Sequence, residues 1–164
     1  MTPRTFAAGI AVVVVAAACT TVLAARCTSL TWDEPVMVAS GIRGMATGDF
    51  TMTWDQPPGM PYVYGVAEKI YDGVAKARGR DGVRRPSEDG TIELPPELAA
   101  QLPASIHANG PVPRWGLYNR YDYARELFFK SGNDPEALAL AARLATALLA
   151  ALLGLAVAWF KWSC

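Results

Sequence analysis

The chain has 164 residues, with 15 basic and 15 acidic side chains and a formal net charge of zero. That length allows about one domain, and the lack of a basic surplus excludes the electrostatic footprint of a nucleic-acid-binding protein. Apolar residues make up 52% of the chain. They gather in a block near each end, with polar, Pro- and Gly-rich sequence between, which is the layout of a membrane protein.

The first block, FAAGIAVVVVAAACTTVLAA from Phe6 to Ala25, contains no charge and is bounded by Arg4 and Arg26. About 20 residues rising roughly 1.5 Å each match a hydrocarbon core of about 30 Å, so the block predicts a membrane-spanning helix. A cleaved signal peptide is the alternative, given the short basic start and the alanines near the end of the block. A lipoprotein cleavage before Cys19 fits less well, because Ala16 stands where a large aliphatic residue is usual. Cleavage before Cys27 fits worst, because Arg26 precedes it.

The acidic pair Asp33-Glu34 follows within a few residues. Either carboxylate can cap a short helix with Pro35 in its first turn. Val38, Ile42 and Met45 would share one face and Gly48 would end the helix, an amphipathic juxtamembrane element lying along the membrane surface. Pro57-Pro58-Gly59 then reads as a turn or an extended stretch. A second helix is predicted over Pro61–Ala77, where Val63, Val66, Ile70 and Val74 recur at helical spacing. The interval 78–113 is rich in breakers and reads as a flexible loop with at most a helical turn at Pro96–Leu102. His107 is read as solvated. Helix is expected again over Tyr118–Lys130, where Trp115 and the tyrosines suit interfacial packing more than stacking on a sugar.

The second block, Ala137 to Phe160, contains one charge, Arg143. Leu144–Phe160 alone is roughly 17 residues, the lower limit for a span, which places Arg143 at head-group level. Asp134, Pro135 and Glu136 form a helix start, and Trp159, Lys161 and Trp162 an interfacial belt. The expected fold is therefore all-α: two transmembrane helices, 6–25 and 137–160, enclose a 26–136 segment on the extracytoplasmic side. Cys27 and Cys164 would face opposite compartments with Cys19 inside the bilayer, so no disulfide framework is expected. The single His excludes a metal site built on clustered histidines.

In this order, Asp33-Glu34-Pro35, Gly48-Asp49-Phe50, Gln56-Pro57-Pro58 and Arg143-Leu144 resemble the N-terminal part of the membrane-embedded C-type glycosyltransferases. The similarity is to glycosyltransferase family 39, which includes protein O-mannosyltransferases and aminoarabinose transferases. It covers roughly residues 31–64 and 135–160, and 78–113 has no counterpart. Gln56 stands where the family usually has His, and family members have many more spans than are read here. The resemblance implies transfer of a sugar from a polyprenyl-phosphate carrier to an acceptor, with Asp33 as general base beside Glu34 and Arg143 holding the carrier phosphate. It implies no cofactor beyond that donor and leaves a divalent metal open. Asp49 is read as a turn residue rather than a second acid. The implied partners are the lipid bilayer, a lipid-linked sugar, and a missing C-terminal half or a further copy. The implied location is a bacterial inner membrane. A small membrane-anchored interaction protein without catalysis is the alternative.

Overall fold

The computed structural model describes residues 3–27, 31, 33–53, 59–102, 104–107 and 110–163. Gln56, Pro57, Pro58 and Cys164 lie outside the described residues, as do the side chains of Arg4, Arg26, Lys161 and Trp162. The chain is predominantly helical: α1 (Pro3–Cys27), α2 (Glu34–Thr47), α3 (Gly59–Ala77), two short helices α4 (Pro96–Ala99) and α5 (Ala104–His107), α6 (Arg120–Arg125) and α7 (Pro135–Ser163). Two-residue strands β1 (Thr91–Ile92) and β2 (Val112–Pro113) pair antiparallel, with Thr91 opposite Pro113 and Ile92 opposite Val112.

α7 begins where its sequence dictates. The Asp134 carboxylate accepts hydrogen bonds from the amides of Glu136 and Ala137 at 3.0 and 3.1 Å, and Pro135 occupies the first turn. Pro135–Phe160 is long and apolar enough to cross a membrane, and it is the only such helix among the described residues. α1 packs along it, but the apolar helical stretch described in α1 is Val12–Ala24, shorter than a span requires. One of the two expected spans therefore has a helix of the required length and apolarity, and the second is not shown. Cys19 and Cys27 are free, exposed thiols.

α2 ends as its sequence predicts, with Gly48 at φ 79° donating its amide to the Gly44 carbonyl at 2.8 Å. Its surroundings differ from the expectation. Rather than lying along a surface, it is enclosed by α3, α6 and α7, and every residue from Val38 to Gly44 is buried. Glycine makes that enclosure possible. A side-chain carbon on Gly41 would collide with the Pro61 carbonyl oxygen of α3, and one on Gly65 would collide with the Gly41 carbonyl oxygen. The two backbones thus approach as only glycines allow. On the other side, Ile42 joins Met52, Trp115, Tyr123, Leu127, Phe128 and Leu138 in one apolar core. Trp115 meets Tyr123 edge-on at 5.3 Å, so both rings are committed to packing.

The 78–113 interval forms no long helix, but its first part is tied down. Asp72 accepts the Val83 amide at 2.7 Å, and Arg85 pairs with Glu68 at 2.9 Å. Glu88 pairs with Arg43 at 3.0 Å, and the Trp115 indole donates to the Ser87 carbonyl at 2.7 Å. Asn133 exchanges two hydrogen bonds with the Arg84 backbone and donates a third to Leu127 O. Residues 83–88 are a strap across α2 and α3. His107 is half-buried, with Nε2 3.3 Å from the Leu102 carbonyl.

The helix expected over 118–130 is divided. A 3-10 turn at Leu117–Asn119 leads into α6, and Glu126–Lys130 forms a π turn closed by the Ser131 amide on the Glu126 carbonyl at 2.9 Å.

Candidate active site

The start of α2 and the first turns of α7 meet through one ion pair. Arg143 donates from Nε to Glu34 Oε1 and from Nη2 to Glu34 Oε2, both at 2.6 Å. This is the parallel, two-bond geometry that a guanidinium and a carboxylate favour. Both side chains are mostly withdrawn from solvent, at 16% exposure for Glu34 and 17% for Arg143. Glu34 of the acidic pair and the arginine of the apolar helix therefore meet directly, although 109 residues separate them in sequence.

Asp33 occupies the position before the first residue of α2, but its side chain makes no capping hydrogen bond. The helix uses its backbone instead: the Met37 amide donates to the Asp33 carbonyl at 3.1 Å. The two carboxylates of the pair thus differ. Glu34 is engaged by a cation and Asp33 is exposed to solvent.

Below Arg143 opens a groove of about 330 Å³ between α1, α3 and α7. Thr21 and Ala24 line it from α1, Tyr64 from α3, and Thr146, Ala147 and Ala150 from α7. The threonine hydroxyls are spent within their own helices, Thr21 on the Ala17 carbonyl at 2.8 Å and Thr146 on the Ala142 carbonyl at 3.1 Å. The wall they present is consequently apolar. A cation at the mouth of an apolar groove suits an amphiphile with an anionic head and a hydrocarbon tail.

A second polar cluster lies deeper. Buried Arg43 pairs with Asp49 at 2.7 Å and with Glu88 at 3.0 Å. Burial works against the Arg43 charge, but the hydrogen bonds and charges of Asp49 and Glu88 outweigh it and raise the pKa. Asp49 is likewise disfavoured by burial, yet hydrogen bonds from Thr51 and the Arg43 guanidinium hold it below the usual carboxylate range. Its Oδ1 accepts the Thr51 amide at 2.9 Å, the turn role its sequence context predicts. Glu68 is pushed up by burial, with Arg85 offsetting part of the effect. These groups hold the strap to the helices, and none lines the groove. Neither Tyr64 nor the groove threonines carry a motif that would have marked them in the sequence.

Among the described residues, no group of three or more His, Cys, Asp or Glu comes together as a metal cage. No family model, curated protein or solved structure matches the chain.

Proposed function

We propose that the chain is the N-terminal part of a membrane glycosyltransferase that moves a sugar from a polyprenyl-phosphate carrier to an acceptor hydroxyl. The supporting observation is the Glu34–Arg143 pair, which joins the acidic motif to a cation at the head of an apolar groove. On this reading Asp33 and Glu34 are the catalytic carboxylates and Arg143 holds the carrier phosphate.

The chemistry divides among them. The acceptor oxygen attacks the anomeric carbon of the sugar and its proton passes to the exposed Asp33 carboxylate, the general base. As the new C–O bond forms, the bond from that carbon to the phosphate oxygen breaks, with inversion. The electron pair leaves with the lipid phosphate, whose charge the Arg143 guanidinium stabilises. Glu34 fixes the guanidinium plane and is a positioning residue as well as a member of the pair. The lipid tail follows the groove between α1 and α7. With α1 as a second span, residues 26–136 lie outside the cytoplasm of a bacterial inner membrane.

Two apolar helices enclose little of a long polyprenyl chain, so activity requires further helices, from a longer version of the chain or from a further copy. The test is sugar transfer from polyprenyl-phosphate donors by the membrane-inserted chain, with and without any downstream coding sequence. Transfer that needs the longer chain and is lost in Asp33→Asn supports the proposal. Transfer indifferent to Asp33, or none in either form, overturns it.

A second reading rests on α3, where Tyr62, Val66, Ile70 and Val74 leave an exposed apolar stripe at four-residue spacing. Such a stripe fits a membrane-anchored interaction protein, for which substitutions along it would abolish partner capture while Asp33→Asn would not.

A further inference from the structure

α3 packs its Gly65 side against α2 and leaves another side uncovered. Tyr62, Val66, Ile70 and Val74 follow one another there at four-residue spacing, and Ile70 is 63% exposed. We propose that this stripe is a membrane-contact surface: α3 lies in the head-group boundary of the bilayer that α7 crosses, with its apolar side chains among the lipid chains and its lysines on anionic head groups. The inference rests on α7 as a span and holds whether or not the chain transfers sugar.

Charge selects lipid over protein as the occupant. Every exposed residue of α3 is glycine, alanine, lysine or a member of the stripe. Lys69 and Lys76 stand about two turns apart, so they flank the stripe along one edge. Exposed Arg78 and Arg80 extend that basic edge past the end of the helix. Both carboxylates of α3 are engaged elsewhere: Glu68 is buried against Arg85, and Asp72 holds the Val83 amide and the Lys76 ammonium. An apolar stripe bordered by cations and free of acids suits an anionic bilayer surface. Lysine is depleted where proteins meet.

The packing of α3 gives its depth. Tyr64 lines the groove below Arg143 with Thr146, Ala147 and Ala150, whereas Tyr71 lines a separate pocket with Asp134 and Leu138 at the start of α7. α3 therefore runs antiparallel to the first turns of α7, and its early end reaches past Arg143 toward the apolar run. The rise from Arg143 to Ala150 is about 10 Å, within the depth to which interfacial helices bury their apolar face. α1 brings Thr21 and Ala24, the last turn of its apolar stretch, to the same groove. Both long helices thus have an edge of their apolar runs beside α3. At the deep end the Tyr62 ring centre lies 4.1 Å from that of Phe50, and such rings anchor helices at the interface. The surface position that the apolar spacing of α2 predicts belongs instead to α3.

The test places one environment-sensitive fluorophore on the full chain in nanodiscs of phosphatidylcholine and phosphatidylglycerol. In a Cys19→Ser, Cys27→Ser, Cys164→Ser background, the probe is attached through Ile70→Cys, Leu152→Cys or Glu97→Cys. The Ile70 probe should be shielded from aqueous acrylamide and quenched by lipids with a nitroxide high on the acyl chain. The Leu152 probe should respond to a nitroxide near the chain end, and the Glu97 probe to acrylamide alone. Nitroxide-labelled phosphatidylglycerol should quench the Ile70 probe about fivefold more than phosphatidylcholine labelled at the same carbon. That is the effect of one lysine, because Lys76 is shared with Asp72, and Lys69→Gln should equalise the two lipids. An Ile70 probe open to acrylamide while the Leu152 probe reports the bilayer centre would overturn the proposal. So would an Ile70 probe shielded from both quenchers, the mark of a protein partner or a second copy. Equal quenching by the two lipids before Lys69 is changed would overturn the anionic assignment. A Leu152 probe that never meets the deep nitroxide would remove the span and the proposal with it.

Discussion

Glu34 and Arg143 share two hydrogen bonds of 2.6 Å across 109 residues of sequence. Because each is mostly withdrawn from water, removing one strands the other in a poorly solvated place. Glu34→Gln or Arg143→Met is expected to lower stability by about 2 kcal/mol, between the values for exposed and buried pairs. The exchanged double variant, Glu34→Arg with Arg143→Glu, should recover part of that loss. Thermal unfolding in detergent micelles, read as a double-mutant cycle, measures the coupling.

Arg143→Lys separates charge from geometry. Lysine keeps the positive charge but cannot make the two-bond fork, so the plane that Glu34 sets is lost. In a transfer-competent form of the enzyme, kcat should fall by about tenfold to a hundredfold, roughly 1.4 to 2.8 kcal/mol. A variant with unchanged kcat would remove the phosphate-holding role.

The approach of α2 to α3 at Gly41 and Gly65 leaves no space for a side chain. Gly41→Val should destabilise by about 3 kcal/mol, the upper range for overpacking, because the obstacle is backbone that cannot rotate away. Gly48→Ala would act differently, through its positive φ rather than through a collision. Limited proteolysis of both variants distinguishes them: Gly41→Val should expose sites throughout α2 and α3, and Gly48→Ala only near 48.

Two carboxylates give stability opposite dependences on pH. Asp49 has a folded pKa below its ordinary 3.8, so its contribution is complete above that value and is lost as the pH falls through the lowered one. Glu68 has a folded pKa above its ordinary 4.5, so its contribution is complete below that value and is lost as the pH rises through the raised one. Glu68→Gln should therefore flatten the profile of Tm against pH above 4.5, and Asp49→Asn should flatten it below 3.8. An unchanged profile in either variant would refute the assignment.

Arg43 holds Asp49 and Glu88 together and is buried between them. Arg43→Met leaves both carboxylates without their cation and releases the strap at Glu88. Trypsin should then cut after Arg78, Arg80 or Arg84 several times faster than in the unaltered chain, while α7 stays intact.

Local signals were legible in the sequence where one short segment determines the outcome. Asp134-Pro135 starts α7, Gly48 ends α2, and the spacing of Val66, Ile70 and Val74 marks a helix. Enclosure was not legible. Val38, Ile42 and Met45 mark one apolar face of α2, but Gly41 and Ser40 conceal a second buried side, because small residues carry no hydrophobic signal. The strap was hidden for a related reason: charged Arg85 and Glu88 read as a solvated loop until their partners Glu68 and Arg43 are brought beside them. The candidate site was visible as parts, in Asp33, Glu34 and Arg143. Only the tertiary fold joins Glu34 to Arg143, and Tyr64 contributes to the groove through its position alone.

The short ladder of Thr91 with Pro113 and Ile92 with Val112 fixes the two ends of the intervening excursion side by side. None of the described residues between those ends is buried, so the length of the stretch can vary while the helices stay where they are. Each doubling of such a closed segment costs only about 0.6 kcal/mol. That makes 93–111 the natural place for a reporter peptide or an epitope, and for trimming to a tight turn. Descendants of this sequence would be expected to gain and lose residues there long before they altered the strap that precedes it.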